Sequence, residues 1–307
     1  MSGPPTPQAF SVDVEEYFQV SAFEEVLTRD EWAAMPSRLG RSVDSLLDMM
    51  AAHSATGTFF ILGWVADRHP DIPRLIAEAG HEIASHGWWH RRLPTLTPEE
   101  FRREVRDSRR ILEDLTGKQV LGFRAPSFSL LAGQEWAYDV LIEEEYLYDS
   151  SVFPIRRPDY GNPRARPFVH VVERDAGTIV EIPLATRVVA GMRVPGAGGA
   201  YLRLLPFALT RGTALECVRE GRSGVFYTHP WEIDEEQPRL EVPPLTRLRH
   251  YGRLDRTAPR LERLFAEFDF RSIAECYGEL LPDRRADPRA TWGPAGVTAP
   301  GAVRPRS

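Results

Sequence analysis

The sequence predicts an α/β fold, a distorted (β/α) barrel of seven or eight strands. Three observations lead there: eight short β-rich runs, helical patterns between most of them, and about 270 residues with neither linker nor internal repeat. The runs are Phe10–Val14, Gly57–Leu62, His81–Ser85, Gln119–Phe123, Tyr146–Tyr148, Ile179–Pro183, Gly224–Tyr227 and Phe268–Ile273. An open doubly wound sheet is the alternative, but no GxGxxG follows the first run.

The first helix is signalled by Val43, Leu46, Leu47 and Met50, spaced i, i+3, i+4, i+7 along one apolar stripe. A second opens at Thr97-Pro98-Glu99-Glu100, which combines an N-cap threonine, a proline at the first helical position and a capping-box glutamate. Phe101, Val105, Leu112 and Leu115 continue its buried face until Gly117 stops it. At the ends the pattern fails. Residues 1–9 hold three prolines and no periodicity and are expected to form a disordered arm. Pro282–Ser307 hold five prolines, three glycines and five arginines, a composition that cannot bury enough apolar surface to order itself. The expectation is one domain over 10–281, with an arm before it and a flexible tail over 282–307.

Composition narrows the chemistry. The net charge of −6 argues against a nucleic-acid partner. The longest apolar run, Phe59–Ala66, is too short to span a bilayer, and the N-terminus lacks a secretory pattern, so a cytoplasmic protein is expected. Cys217 and Cys276 form neither a disulfide framework nor a zinc knuckle. Lys118 is the only lysine, which removes the GxxxxGK[ST] phosphate loop, and its turn context disfavours a Schiff base. Histidines, carboxylates and a metal are left to carry any reaction.

Those groups gather where β runs end, as catalytic groups do in such barrels: Asp13 and Glu15, His86 and His90, Arg124, Asp149, and His229. Strand alternation puts Asp13 and Glu15 on one face, where two carboxylates need a cation or a shared proton. His86-Gly87-Trp88-Trp89-His90 offers two imidazoles four residues apart, suited to one metal on a helical turn, and a carboxylate elsewhere completes a His₂-carboxylate set. His229 reads either as a third metal ligand or as a proton donor across the site. His53, His69, His81, His170 and His250 read as surface or core residues, and Gly191–Gly199 as a mobile lid or a plain connection.

In this order along the chain the residues resemble the polysaccharide deacetylase family, of the NodB-homology or carbohydrate esterase family 4 type. Ser11-Val12-Asp13-Val14-Glu15 stands at the family's acidic TFDDG motif, and Thr58–Gly63 at its second strand. Ser85–His90 is similar to its H[ST]xxH motif, Arg124-Ala125-Pro126-Ser127 to RxPYG, Tyr148–Ser151 to its fourth motif and Tyr227–His229 to its fifth. Further segments, among them Gly198–Pro206, His229–Glu232 and Tyr251-Gly252, resemble the subgroup that accompanies exosortase (XrtA) or PEP-CTERM exopolysaccharide loci and carries an extra C-terminal region.

The resemblance implies a metal-dependent N-deacetylase acting on N-acetylhexosamine units of a glycan. By that implication Glu15, with Glu16 as the alternative, joins His86 and His90 on a divalent ion, Zn²⁺ first and Co²⁺ or another ion after it. Asp13, oriented by Arg124, is the base; the Ser127 backbone N–H faces the oxyanion; His229, steadied by Asp149, is the acid. Trp88, Trp89 and Trp231 are expected against sugar rings. An allantoinase-like or cyclic-imide amidohydrolase is one competing reading, and a catalytically silent glycan-binding module the other.

Overall fold

A computed structural model describes residues 6–157 and 160–281. Eleven strands are present: β1 (Gln8–Val14), β2 (Thr58–Ile61), β3 (Glu82–Ser85), β4 (Gly122–Phe123), β5 (Tyr148–Asp149), β6 (His170–Arg174), β7 (Gly177–Glu181), β8 (Thr186–Val189), β9 (Met192–Pro195), β10 (Val225–Thr228) and β11 (Phe270–Arg271). Ten α-helices accompany them: α1 (Leu39–Ala52), α2 (Gly63–Arg68), α3 (Asp71–Glu78), α4 (Pro98–Thr116), α5 (Trp136–Glu143), α6 (Ala200–Leu204), α7 (Phe207–Arg219), α8 (Pro244–Tyr251), α9 (Thr257–Glu267) and α10 (Ile273–Tyr277).

The main sheet runs β10-β1-β2-β3-β4-β5-β7-β6, with β11 also pairing to β1. From β10 to β7 every neighbour is parallel. The arc is not a full ring of strands. Among the described residues, Leu184 just beyond β7 bridges to Val225, and Gly198 pairs with Tyr227. The parallel strands present their carboxyl ends on one side.

Local chemistry explains the helices. Thr97 Oγ1 accepts the Glu100 N–H at 3.2 Å while Glu100 Oε2 accepts the Thr97 N–H at 2.9 Å, the reciprocal cap read from the sequence. Gly117 ends α4 in the left-handed region at φ 63°. Leu39, Val43, Leu46, Leu47 and Met50 bury one face of α1 in the core with Phe59, Phe60 and Ile61 of β2. A second, smaller cluster joins Tyr17, Phe18, Phe23 and Trp32 from beyond β1 to Trp231, Tyr251 and Leu254. It packs the segment after β1 against the C-terminal region.

The structure departs from the sequence reading at several places. Gln8 and Ala9, placed in the expected arm, lie buried in β1. The Gln8 amide accepts from Gly224 N at 2.9 Å and donates to Arg222 O at 3.2 Å, stitching the strand to the approach of β10. Residues 1–5 and the expected tail, 282–307, lie outside the described residues. β6, β8 and β9 were not anticipated. β6 is an antiparallel partner of β7, and β8 pairs with β9 as a separate hairpin that exposes Val188 and Met192. The Gly191–Gly199 stretch therefore holds a strand and a segment bonded to β10, with Gly199 N donating to Tyr227 O at 3.0 Å.

Asp149, at the end of β5, faces Glu181 of β7 in the sealed interior. Burial, then the facing charge of Asp149, pushes Glu181 well above the ordinary carboxylate range, and burial likewise raises Asp149. Such a pair keeps a proton that the unfolded chain releases above about 4.5. Its contribution to stability is complete below that value and is lost as pH rises through the raised folded-state pKa. Glu181→Gln carries the hydrogen permanently. It should lose less unfolding free energy than the wild type between about pH 5 and pH 8, measured by urea unfolding. Parallel curves would show that no proton is held there.

Candidate functional site

The carboxyl ends of β1, β3, β4 and β10 meet at a cavity of about 460 Å³, lined among others by Asp13, Glu15, His86, His90, Ser127, His229 and Trp231. Alternation along β1 sends Ser11, Asp13 and Glu15 to one side while Val12 and Val14 fill the core. Arg124, wholly buried, donates to Asp13 Oδ1 at 2.6 Å, Ser11 Oγ at 2.9 Å, and Ser150 O and Oγ at 3.1 Å. Its guanidinium carbon lies 4.0 Å from the Phe60 ring centroid.

Among the described residues, Glu15, His86 and His90 form a group able to hold a metal ion, their ligand atoms all within 4.8 Å of one another. His86 Nδ1 lies 2.8 Å from the Arg124 carbonyl; donating there fixes the tautomer and leaves Nε2 as a lone-pair ligand. Burial holds the His86 imidazole down at about 4, which keeps it neutral. Glu15 Oε2 is buried without a hydrogen-bonding partner although His90 Nε2 is 2.7 Å away. Burial alone would raise Glu15; His90, then His229 and His86, outweigh it and bring the carboxyl down to about 2. An anionic oxygen lacking a donor, beside two imidazoles, fits a divalent cation. Glu16 points elsewhere, accepting from the Ser37 hydroxyl and from Arg38 N at 3.2 Å.

The His86–His90 segment is not the helical turn expected from its spacing. It is a loop, reversed by positive φ at Gly87 (76°) and His90 (51°), with the two rings 5.4 Å apart. Glu104 of α4 braces it, accepting the Trp88 and Trp89 N–H groups at 2.8 and 2.9 Å. With both histidines turned inward, the residues between them turn out. Trp88 packs on the start of α2, where a Cβ at Gly63 would come within 2.4 Å of its ring, and Trp89 is 38% exposed beside Trp32. Neither tryptophan is among the residues lining the cavity.

Trp231 does line it, yet only 7% of its surface is exposed. Its ring stacks on His229 at 5.0 Å and on His250 at 4.2 Å, and its indole N–H donates to Glu15 Oε1 at 3.1 Å. It holds the carboxylate more than it offers a platform. Ser127 reaches the cavity in the left-handed region at φ 55°, its hydroxyl 2.8 Å from that of Ser21.

His229 Nε2 lies 3.9 Å from Asp13 Oδ2 and 3.7 Å from Glu15 Oε1. Its Nδ1 is held at 2.7 Å by Glu232 Oε1, not by Asp149 as expected. Asp149 instead accepts from Ser151 N and Oγ at 3.1 and 2.6 Å, beside Glu181. The strand-end position that drew attention to Asp149 lies off the cavity lining, and the orienting carboxylate comes from three residues beyond His229. Burial would depress the His229 imidazole; the Glu232 hydrogen bond and the charges of Glu15, Glu232 and Asp13 raise it to about 9. Sequence reading passed over Arg203 and Glu232, while His250, read as a surface or core residue, is buried at the cavity lining. The signal available for Glu232 was its i+3 spacing from His229 across Pro230, a capping-box pattern.

Replacing Trp231 with phenylalanine keeps the stacking and removes the donor to Glu15. Metal affinity should fall about 10- to 100-fold, the weight of an outer hydrogen bond to a ligand, as read by competition with a chelating dye. Unchanged affinity would show that the indole N–H has no part in holding Glu15.

Residues 27–133 match the polysaccharide deacetylase family model, and residues 150–278 match that of a domain of unknown function, DUF3473. The chain is 33% identical over 93 residues to a peptidoglycan-N-acetylglucosamine deacetylase of Bacillus cereus, covering 30% of this chain and 34% of that protein. It is 36% identical over 63 residues to a chitooligosaccharide deacetylase of Rhizobium leguminosarum bv. trifolii, covering 20% and 29%. The matches thus span about a third of these curated relatives. A solved structure of a presumed polysaccharide deacetylase from Mycobacterium smegmatis shares the fold across all of this chain and 98% of its own, at 20% identity and a TM-score of 0.58. His86, His90, Arg124 and Ser127 fall in the first matched region, and Arg203, His229, Trp231 and Glu232 in the second, so both regions build one cavity. Over residues 27–133, about a third of its length, the chain is similar to the polysaccharide deacetylase family.

Proposed function

We propose that this chain is a metal-dependent hydrolase that removes N-acetyl groups from N-acetylhexosamine units of a polysaccharide, with an exopolysaccharide precursor as substrate. The observation that carries the reading is the convergence of Glu15, His86 and His90 beside the Asp13–Arg124 pair and His229 in one cavity. The deacetylase names of the relatives supply the substrate class.

Glu15, His86 and His90 would hold the ion, with Zn²⁺ best suited to two imidazoles and a carboxylate. Such an ion polarises the acetamide carbonyl and acidifies water. Asp13 receives the attacking water's proton, and Arg124 fixes the carboxylate that receives it. The Ser127 backbone N–H faces the developing oxyanion. His229 delivers a proton from Nε2 to the amide nitrogen as the C–N bond breaks, leaving acetate and a free amine. Glu232 holds the opposite ring nitrogen throughout.

Protein loaded with Zn²⁺ or Co²⁺ should release acetate from N-acetylglucosamine oligomers. Asp13→Asn should retain metal and lose about 10²–10⁴ in kcat, the usual weight of one positioned proton-transfer group. His86→Ala should lose metal and turnover together. Metal content and acetate release on the three proteins decide the matter. Hydrolysis confined to allantoin or cyclic imides would select a small-molecule amidase, and glycan binding without acetate release would select a silent module.

A further inference from the structure

The second matched region contributes more to the site than His229 itself. Arg203, on α6, has no exposed surface, and neither has Glu232. Arg203 Nε donates to Glu232 Oε2 at 2.9 Å, Nη1 to Gly252 O at 2.8 Å and Nη2 to Arg249 O at 2.8 Å. The carbonyl oxygens belong to the last turn of α8 and the residue after it. The other oxygen of Glu232 holds His229 Nδ1 at 2.7 Å and accepts the His229 N–H at 3.3 Å. A carboxylate buried this far keeps its charge and orientation only if its remaining oxygen is also engaged, and Arg203 engages it.

We infer that Arg203 is a positioning residue for proton delivery: its three-point fork fixes Glu232, and Glu232 aims His229 Nε2 at the nitrogen of the bound amide. The inference rests on the hydrolase reading and goes further, because it assigns the DUF3473 region the task of setting the proton donor's direction. The fork matters beyond the charge. A lysine at 203 would keep the positive charge, yet a single ammonium on a flexible stem cannot hold one carboxylate and two carbonyls in the same plane.

The test separates proton delivery from general integrity by the leaving group. An amine must be protonated to depart, whereas an aryl acetate expels a phenolate that needs no proton. Metal-loaded wild type, Arg203→Lys and the charge-free pair Arg203→Met/Glu232→Gln are compared on an N-acetylglucosamine oligomer and on para-nitrophenyl acetate. The ratio of amide to ester kcat should fall at least tenfold in Arg203→Lys, with KM for the oligomer within threefold and metal content retained. If Arg203→Lys does not fold, the same drop is expected of the charge-free pair, which leaves no lone buried charge. Equal losses on both substrates in the folded variants would overturn the inference, since a merely structural arginine acts on both alike. An unchanged ratio would overturn it as well. Wild type releasing acetate from neither substrate would overturn the hydrolase reading and this inference together, an outcome visible before any variant is compared.

Discussion

A guanidinium with no access to water must have its charge matched and its donors engaged within the protein, and Arg124 meets this condition in a way that organises the rest of the site. Its carboxylate partner is Asp13 of β1, its carbonyl partner Ser150 just beyond β5, and its own carbonyl receives His86. One residue after β4 thus ties together groups from the ends of β1, β3 and β5. Taking either member of the Asp13–Arg124 pair away would strand a charge in the interior, which costs about 3–5 kcal/mol. The Phe60 face above the guanidinium and the Ser11 hydroxyl beneath it restrict the geometry further. Barrel strands that diverged at this end would break all of these contacts at once.

The neighbouring side of the cavity, at the end of β10, is built on the same principle with different parts. There the buried guanidinium is Arg203 and the buried carboxylate Glu232, and the imidazole they face is His229. Trp231 lies between the two groups, donating to Glu15 and stacking on His229 and His250. Burial drives the His250 imidazole down to about 3, so the ring stacked there stays neutral and adds no cation to a site already provided with two arginines. Each of the two groups is anchored by a fully buried arginine, and both border one cavity.

How much of this was legible in the sequence depends on how local each signal is. β2 and β10 announce themselves as β-branched and aromatic runs because they are buried on both faces. α4 announces itself by its cap and its C-terminal glycine. β6, β8 and β9 are half-exposed hairpin strands whose patterns are diluted by arginine and glutamate, and their pairing depends on partners supplied by the fold. The strand-end rule picked out Asp13, His86, Arg124 and His229, which the structure gathers at the cavity, and also Asp149, which pairs with Glu181 away from the cavity lining. It could not find Arg203, which lies on α6 and not at a strand end. The placement of Trp88 and Trp89 was not legible for a related reason: spacing singled out the two histidines between which they lie, while the direction of the loop followed from Glu104 and from positive φ at Gly87 and His90.

The interval between Asp13 and Glu15 has a physical consequence of its own. Adjacent residues on a strand face opposite ways, so adjacent acids at 13 and 14 would put one carboxylate in the core that Val14 occupies. Separated by Val14, both enter the cavity, where two like charges would repel. The structure relieves this by dividing the cations: Arg124 is bonded to Asp13, and the imidazoles gather around Glu15. Asp13 is therefore neutralised by a permanent charge that cannot leave, while Glu15 keeps an oxygen without a hydrogen-bond donor. On the proposed reading one carboxylate would take the water's proton and the other would hold the cation, from two acidic side chains at a single strand end.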